Sequence, residues 1–519
     1  MIGGHAMRIL RWAALLLIIA AIAMPAAIAE KRGADMLLVV DPARQSKVNE
    51  GVFEGWGTSL CWWANRIGYS DTLAQKAAEA FCDPEKGLGL NILRYNIGGG
   101  DDPAHHHITR TDSMMPGFWK NPSVGEAEGD YAWDYDWSQD ANQRNVLERC
   151  LAVYGSGMLV EAFSNSPPYF MTVSGCSSGA VNASWNNLKD DAYESFARYL
   201  ADVAEHFDRV WGIRFQSISP MNEPNTGYWS AYSNKQEGCH FDPGMSQSRI
   251  LTALSARLAD KGLNDILLAG TDETSVDIQI LSLNSLSEEA LKVISRVDTH
   301  TYGSSGRSIL RSEALRYGKN LWMSEADGGD TLGKDAGEMG AGLWLAQHIA
   351  DDLNGMTPSA WILWQVIDSH ISRDGYLGRR DTGMVHTEGG YWGTAVADHD
   401  RQELILTMKY YVFGQFTRYI RPGSHLIEMP GPAVAALDAA GKCLTVVVIN
   451  QKPESQTAWI DLSALRSVFP AGTCVRMIRT SGSMREGEHW ASLPNLYVEE
   501  GGFIVPLSPY SVTTLLVGE

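Results

Sequence analysis

Cysteine is scarce in this chain of 519 residues: the seven present are Cys61, Cys82, Cys150, Cys176, Cys239, Cys443 and Cys474. None forms a CxxC pair or a zinc-type Cys/His spacing, so neither a zinc scaffold nor a disulfide-rich fold is indicated. Positive charge is also short, with 42 Lys and Arg against 61 Asp and Glu and a formal charge of −19. Such a balance argues against nucleic acid or an anionic membrane as partner, since both need basic patches. Beyond the N-terminus no apolar run is long enough to span a bilayer. Internal repeats and low-complexity linkers are absent as well, which points to modules packed rigidly on one another.

The single long apolar run lies at the start. Met7-Arg-Ile-Leu-Arg11 is a basic lead-in, Ala13 to Ala23 an apolar core, and Ala27-Ile-Ala29 a small-x-small pattern before Glu30. Residues 1–29 therefore read as a leader removed on export, to the periplasm or outside the cell, with no membrane contact afterwards; a retained anchor is the alternative, for which the run is short. Export makes disulfides chemically available. Cys443 with Cys474, and Cys176 with Cys239, are the candidate pairs; buried free thiols are the alternative.

From about residue 51 to 410, short apolar strands alternate with helical patterns. The expected strands are Gly51–Thr58, Leu90–Ile97, Met158–Phe163, Arg214–Ser219, Ile266–Ala269, Val297–Thr301, Asn320–Ser324 and Ser359–Val366. Eight parallel strand–helix units predict an α/β fold of the (β/α)8 TIM-barrel type. Past Arg421-Pro-Gly423 the pattern changes to β-branched alternation, as in Leu444–Asn450, Val475–Arg479 and Ser511–Val517, which predicts a side β-sandwich. Met36-Leu-Leu-Val-Val-Asp41 adds a strand ahead of the barrel that suits pairing with that sandwich. The expected division is 30–50 for this joining strand, 51–412 for the barrel and 413–519 for the sandwich.

In such barrels function gathers at the C-terminal ends of the strands. Glu223 follows the fourth strand in Ser219-Pro-Met-Asn-Glu-Pro-Asn225, and Glu325 ends the seventh in Leu321-Trp-Met-Ser-Glu-Ala-Asp-Gly328. Two carboxylates on opposite barrel walls suit cleavage of a glycosidic bond, where retaining chemistry needs them about 5–5.5 Å apart. Arg94, at the end of the second strand, would keep Glu325 ionised as a nucleophile if it points there. Glu223 would then stay protonated as the acid, through burial or its neighbouring carboxylate. Asn222 is placed to meet a sugar hydroxyl, and Trp62, Trp63, Asn165, His300, Tyr302 and Trp364 complete the expected substrate-binding set. Tryptophan, with 17 residues, is plentiful in loops such as those carrying Trp119, Trp133, Trp137, Trp229 and Trp392, and indoles suit the C–H faces of sugars. Mid-strand Trp322 and Trp361 read as core. Asp101-Asp-Pro-Ala-His-His-His107 invites a metal, but three adjacent histidines cannot all face one ion on a regular strand; the loop reads instead as cleft lining, with neither metal nor cofactor expected.

These motifs, with Gly55-Trp-Gly-Thr-Ser-Leu-Cys-Trp-Trp-Ala64, Arg94-Tyr-Asn-Ile-Gly-Gly99, the His105–Phe118 loop and Gln415-Phe-Thr-Arg-Tyr-Ile-Arg-Pro-Gly423, resemble glycoside hydrolase family 30, and within it the endo-β-1,6-galactanase subgroup. The resemblance covers about residues 36–519. It implies a retaining mechanism with Glu223 as acid/base and Glu325 as nucleophile, acting on a β-linked oligo- or polysaccharide of arabinogalactan side-chain type. Another activity of the family (β-1,6-glucanase, xylanase or glucosylceramidase) and a non-catalytic carbohydrate-binding protein are the alternatives.

Overall fold

The computed structural model describes residues 33–105, 107–110, 112–375 and 389–518; the segment read as a leader lies outside them. Eight parallel strands close into a barrel: Gly55–Ser59, Ile92–Asn96, Leu159–Phe163, Ser217–Ser219, Leu267–Glu273, Ile294–His300, Asn320–Ala326 and Ala360–Leu363. Numbered 1 to 8 in that order, each pairs with the next, and strand 8 returns to strand 1 through Ala360↔Gly55 to Leu363↔Thr58. All eight expected strands are present. Strand 5 runs further than its apolar stretch suggested, because Thr271, Asp272 and Glu273 continue it although polar.

The helices cover the barrel by apolar stripes. Tyr193–Arg209 buries Phe196, Tyr199, Leu200, Val203 and Phe207 on one face, the three- and four-residue spacing of an amphipathic helix. Strand 1 is held close to strand 2 by Gly57: a Cβ there would lie 2.6 Å from the Ile92 carbonyl oxygen and 2.8 Å from its Cβ. Inside the barrel the filling is partly ionic. Arg94 Nε donates to Glu161 at 2.9 Å, Arg296 pairs with Glu161 and, at 2.6 Å, with Asp298, and all four side chains are buried. Ion pairs of this depth survive desolvation only when fully partnered, and the periodicity of the strands gave no warning of them.

Two loops carry sheets of their own. A hairpin of Trp119–Val124 and Tyr131–Tyr135 follows strand 2, and a three-stranded sheet of Ile367–Ile371, Ala395–Asp398 and Glu403–Leu406 follows strand 8. The C-terminal region holds a six-stranded antiparallel sheet, ordered His425–Ile427, Ala433–Leu437, Leu444–Asn450, Ser511–Val517, Cys474–Ser481, Glu488–Tyr497. Beside it lies a three-stranded sheet in which Met36–Val39 runs parallel to Gln456–Asp461, itself antiparallel to Gly502–Leu507. Leu38, Val446, Val448, Ile460 and Val505 form one apolar cluster between the sheets. Val447, Ile449 and Val512, which alternate with that set, belong instead to the cluster of the barrel helices. Period-two alternation thus gives the large sheet two buried faces. Neither expected disulfide pair forms: Leu444 and Val475, which follow Cys443 and Cys474, both pair with Val517 of the strand between them, and Cys239 Sγ meets the His240 carbonyl, not Cys176. Among the described residues no helix is long and apolar enough to cross a membrane.

Candidate active site

Barrel closure brings Glu223 and Glu325 together across the C-terminal mouth. A carboxylate oxygen of each, with a nitrogen of His300, lies within 4.8 Å of the others. Both glutamates line a cavity of about 480 Å³ and are nearly enclosed. Local backbone irregularities aim them. Glu223 has φ 45°, in the left-handed region that a non-glycine residue seldom adopts, and strand 7 shifts register between Met323 and Glu325. Bulges of this kind redirect side chains beside active sites.

The pair is wired to shared donors. Tyr228 OH donates to Glu223 Oε2 at 2.6 Å, and Tyr302 OH to Glu325 Oε1 at 3.2 Å. His300 Nδ1 stands 3.2 Å from Glu223 Oε1 and 3.5 Å from Glu325 Oε1, with Asp272 Oδ1 3.2 Å from its Nε2. Burial works against the charged ring, but the surrounding carboxylates of Glu325, Asp272 and Glu223 raise its pKa well above the usual value. A proton is thereby favoured on the ring, with Nδ1 placed to donate to Glu223 Oε1.

The electrostatics of the two glutamates run opposite to the sequence expectation. Burial lifts Glu325 to about 7; His300 and Arg94 oppose that lift, and the Glu223 charge adds to it. Burial also pushes Glu223 up, but the His300 hydrogen bond and charge, with Tyr228, bring it below the ordinary value. Arg94 does point at Glu325, Nη1 to Oε2 3.5 Å, yet it is shared with Glu161 and Asp272, which weakens its hold on any one of them.

Asn222, Trp62, Tyr302 and Trp364 of the expected set line the cavity with the two glutamates. Trp62 and Trp364 meet edge to face at 5.1 Å, and the Arg110 guanidinium lies 4.8 Å over Trp62. The other four expected binding residues are not on the cavity wall. Trp63 is core: its ring packs on Phe81 and its N–H donates to the Ser59 carbonyl at 2.7 Å. Arg94 and His300 are fully buried beneath the carboxylates, so they contact the glutamates rather than a ligand. Asn165 is buried too, with its amide unpartnered. Trp119, Trp133 and Trp137 also lie off this cavity, Trp119 and Trp133 packed against Tyr169 and Phe170 and Trp137 stacked between Tyr135 and His206. In the histidine loop, His105 pairs with Asp102 and His107 packs against Tyr232; His106 lies outside the described residues.

Sequence reasoning missed Tyr228, Arg110 and Asp368, which line the cavity, and Asp272, which meets Arg94 and His300 beneath it. Tyr228 and Arg110 sit in loops with no periodicity to place them. Asp272 had a signal, Thr271-Asp-Glu273 directly after an apolar run, at the strand end to which no residue was assigned.

The comparisons with known proteins agree with this geometry. The O-glycosyl hydrolase family 30 model matches residues 43–281. An endo-β-1,6-galactanase of Hypocrea rufa is 31% identical over 94% of this chain and 96% of its own. This chain belongs to glycoside hydrolase family 30. It is thus a glycosidase. An exo-β-1,6-galactobiohydrolase of Bifidobacterium longum is 26% identical over 79% of this chain, which spans 34% of that longer protein. Two solved structures share the fold: a conserved exported protein from Bacteroides fragilis (TM-score 0.72, 19% identity, 93% of this chain and 100% of that one), and the catalytic domain of xylanase C from Talaromyces cellulolyticus (TM-score 0.68, 17% identity, the same coverage).

Proposed function

We propose that this family 30 enzyme hydrolyses β-1,6-linked galactan in endo mode, with retention of anomeric configuration, after export from the cell. The observation that carries the reading is the near full-length relationship to an endo-β-1,6-galactanase; it is supported by the carboxylate pair, one oxygen of each within 4.8 Å of the other, a closeness that accommodates the carboxyl separation of about 5–5.5 Å used in retaining cleavage. Glu325 is the nucleophile and Glu223 the acid/base. Positive charge developing at the anomeric carbon favours the ionised form of Glu325, so the single proton of the pair resides on Glu223 in the reactive complex. Glu223 protonates the leaving oxygen while Glu325 attacks; water then releases the sugar from Glu325, with Glu223 taking its proton. Asn222 binds the sugar beside Glu325. Trp62, Trp364, Tyr228 and Trp229 line the cavity with the glutamates and offer aromatic surface to a chain of sugars.

Release of reducing ends from β-1,6-galactan, β-1,6-glucan, xylan and glucosylceramide tests the substrate. Galactan is expected to be cut rapidly into a ladder of oligosaccharides; activity on glucan or xylan alone would remove the galactanase reading. The relationship to an exo-acting galactobiohydrolase supports a second reading, under which the same galactan yields a disaccharide from the first minutes and no ladder.

A further inference from the structure

A third carboxylate lies under the Glu223–Glu325 pair, and the reaction above gives it no task. Asp272 is fully buried near the end of strand 5 and does not line the cavity. It is the extra residue of a bulge: Thr271 pairs with Asp298 and Glu273 with Thr299, leaving Asp272 unopposed. Its φ of 61° is a left-handed conformation that aspartate tolerates better than most residues. Through that turn its carbonyl accepts the Glu223 backbone N–H at 2.8 Å. Its side chain serves strands 2, 6 and 7. Oδ2 accepts from Arg94 Nη2, while Oδ1 accepts from Ser324 Oγ at 2.6 Å and faces His300 Nε2 at 3.2 Å. Each partner leads to a reacting carboxylate: Arg94 and His300 reach Glu325 at 3.5 Å, His300 reaches Glu223 at 3.2 Å, and Ser324 adjoins Glu325 in the chain.

We propose that Asp272 is a positioning residue that sets Glu223 and Glu325 in register, through Arg94, His300 and the Glu223 backbone, without touching substrate. The inference rests on the acid/base and nucleophile reading given above. Simple neutralisation of Arg94 does not explain the arrangement, because Glu161 already pairs with Arg94 Nε at 2.9 Å. The charged groups around Asp272 and His300 are Arg94 from strand 2, Glu161 from strand 3, Arg296 and Asp298 from strand 6, and the two reacting glutamates. In this set Asp272 is the carboxylate on the far side of the His300 ring from the pair.

The variant Asp272→Asn keeps the shape and removes the charge. Its kcat on the galacto-oligosaccharide should fall about 10²-fold, the scale of a misplaced catalytic group, with KM within about threefold. The alkaline limb of kcat/KM should also move to lower pH, because the negative charge of Asp272, which raises Glu325, is lost. A merely structural role would lower the melting temperature and leave that limb in place. Should Asp272→Asn fail to fold, Ser324→Ala removes only the hydrogen bond to Oδ1 and should cost kcat about threefold or more at constant KM. An unchanged kcat in either folded variant, or an unmoved limb in Asp272→Asn, overturns the proposal. Glu325→Ala on the same substrate separates the two levels. If that variant stays active, the nucleophile reading fails; if it is inactive while Asp272→Asn behaves as wild type, only the role of Asp272 falls.

Discussion

Glu223 and Glu325 share His300, and that common neighbour decides how the pair titrates. The reactive form carries one proton between them. Glu325, lifted to about 7 by burial, marks where that proton is lost as pH rises; Glu223, held below its ordinary value by His300 and Tyr228, marks where a second proton is gained as pH falls. Because two interacting carboxylates titrate as a unit, kcat/KM should follow a bell whose alkaline limb lies near pH 7 and whose acid limb lies below about 4.5. A plateau continuing to pH 9, in a profile measured at constant ionic strength, would contradict this. The two glutamates were legible in the sequence because each stands at or just past the end of an apolar strand. Their relative acidity was not, since it depends on how Arg94 is divided among Glu161, Asp272 and Glu325 and on the His300 ring set between them, and sequence spacing carries neither. Trp63 misled for a related reason: it adjoins cavity-lining Trp62, yet it starts the short helix Trp63–Ile67 that turns its ring into the core.

Among the elements, the strands were read more reliably than the loops between them. Their apolar runs are long because parallel barrel strands are covered on both faces, and those runs placed all eight. The run failed as a guide where a bulge carries polar residues, as at Asp272 in strand 5, and it gave no sign of the ion pairs inside the barrel. The hairpin after strand 2 and the sheet after strand 8 also went unread, and the hairpin's Trp119 and Trp133 looked in sequence like cleft residues. One strand contact makes a direct test of the barrel geometry. At Gly57 an added Cβ would meet the backbone oxygen of Ile92 at 2.6 Å, and backbone in a closed barrel cannot move aside. Gly57→Ala should therefore cost about 1–3 kcal/mol of stability, the scale of overpacking a filled core, read in denaturant unfolding. An unchanged unfolding midpoint would show that strands 1 and 2 are further apart than described.

At the scale of the molecule, the reaction depends on closure. Strands 4 and 7 are remote in sequence, and only an eight-stranded ring sets their ends facing each other with carboxylate oxygens within 4.8 Å. The C-terminal sheets back that ring. The six-stranded sheet sends Val447, Ile449 and Val512 into the core of the barrel helices, and the Trp56 N–H in strand 1 donates to the Ile420 carbonyl at 2.7 Å. The sandwich is thereby built into the support of the barrel wall, and the switch from helical to alternating patterning after Arg421 announced it. A retaining site built by this closure shows itself in the stereochemistry of the product. Proton NMR of a β-1,6-galacto-oligosaccharide in the first minutes of hydrolysis should show the β-anomer of the new reducing end, with the α-anomer growing in later by mutarotation. The α-anomer appearing first would mean inversion, and would contradict the roles given to Glu223 and Glu325.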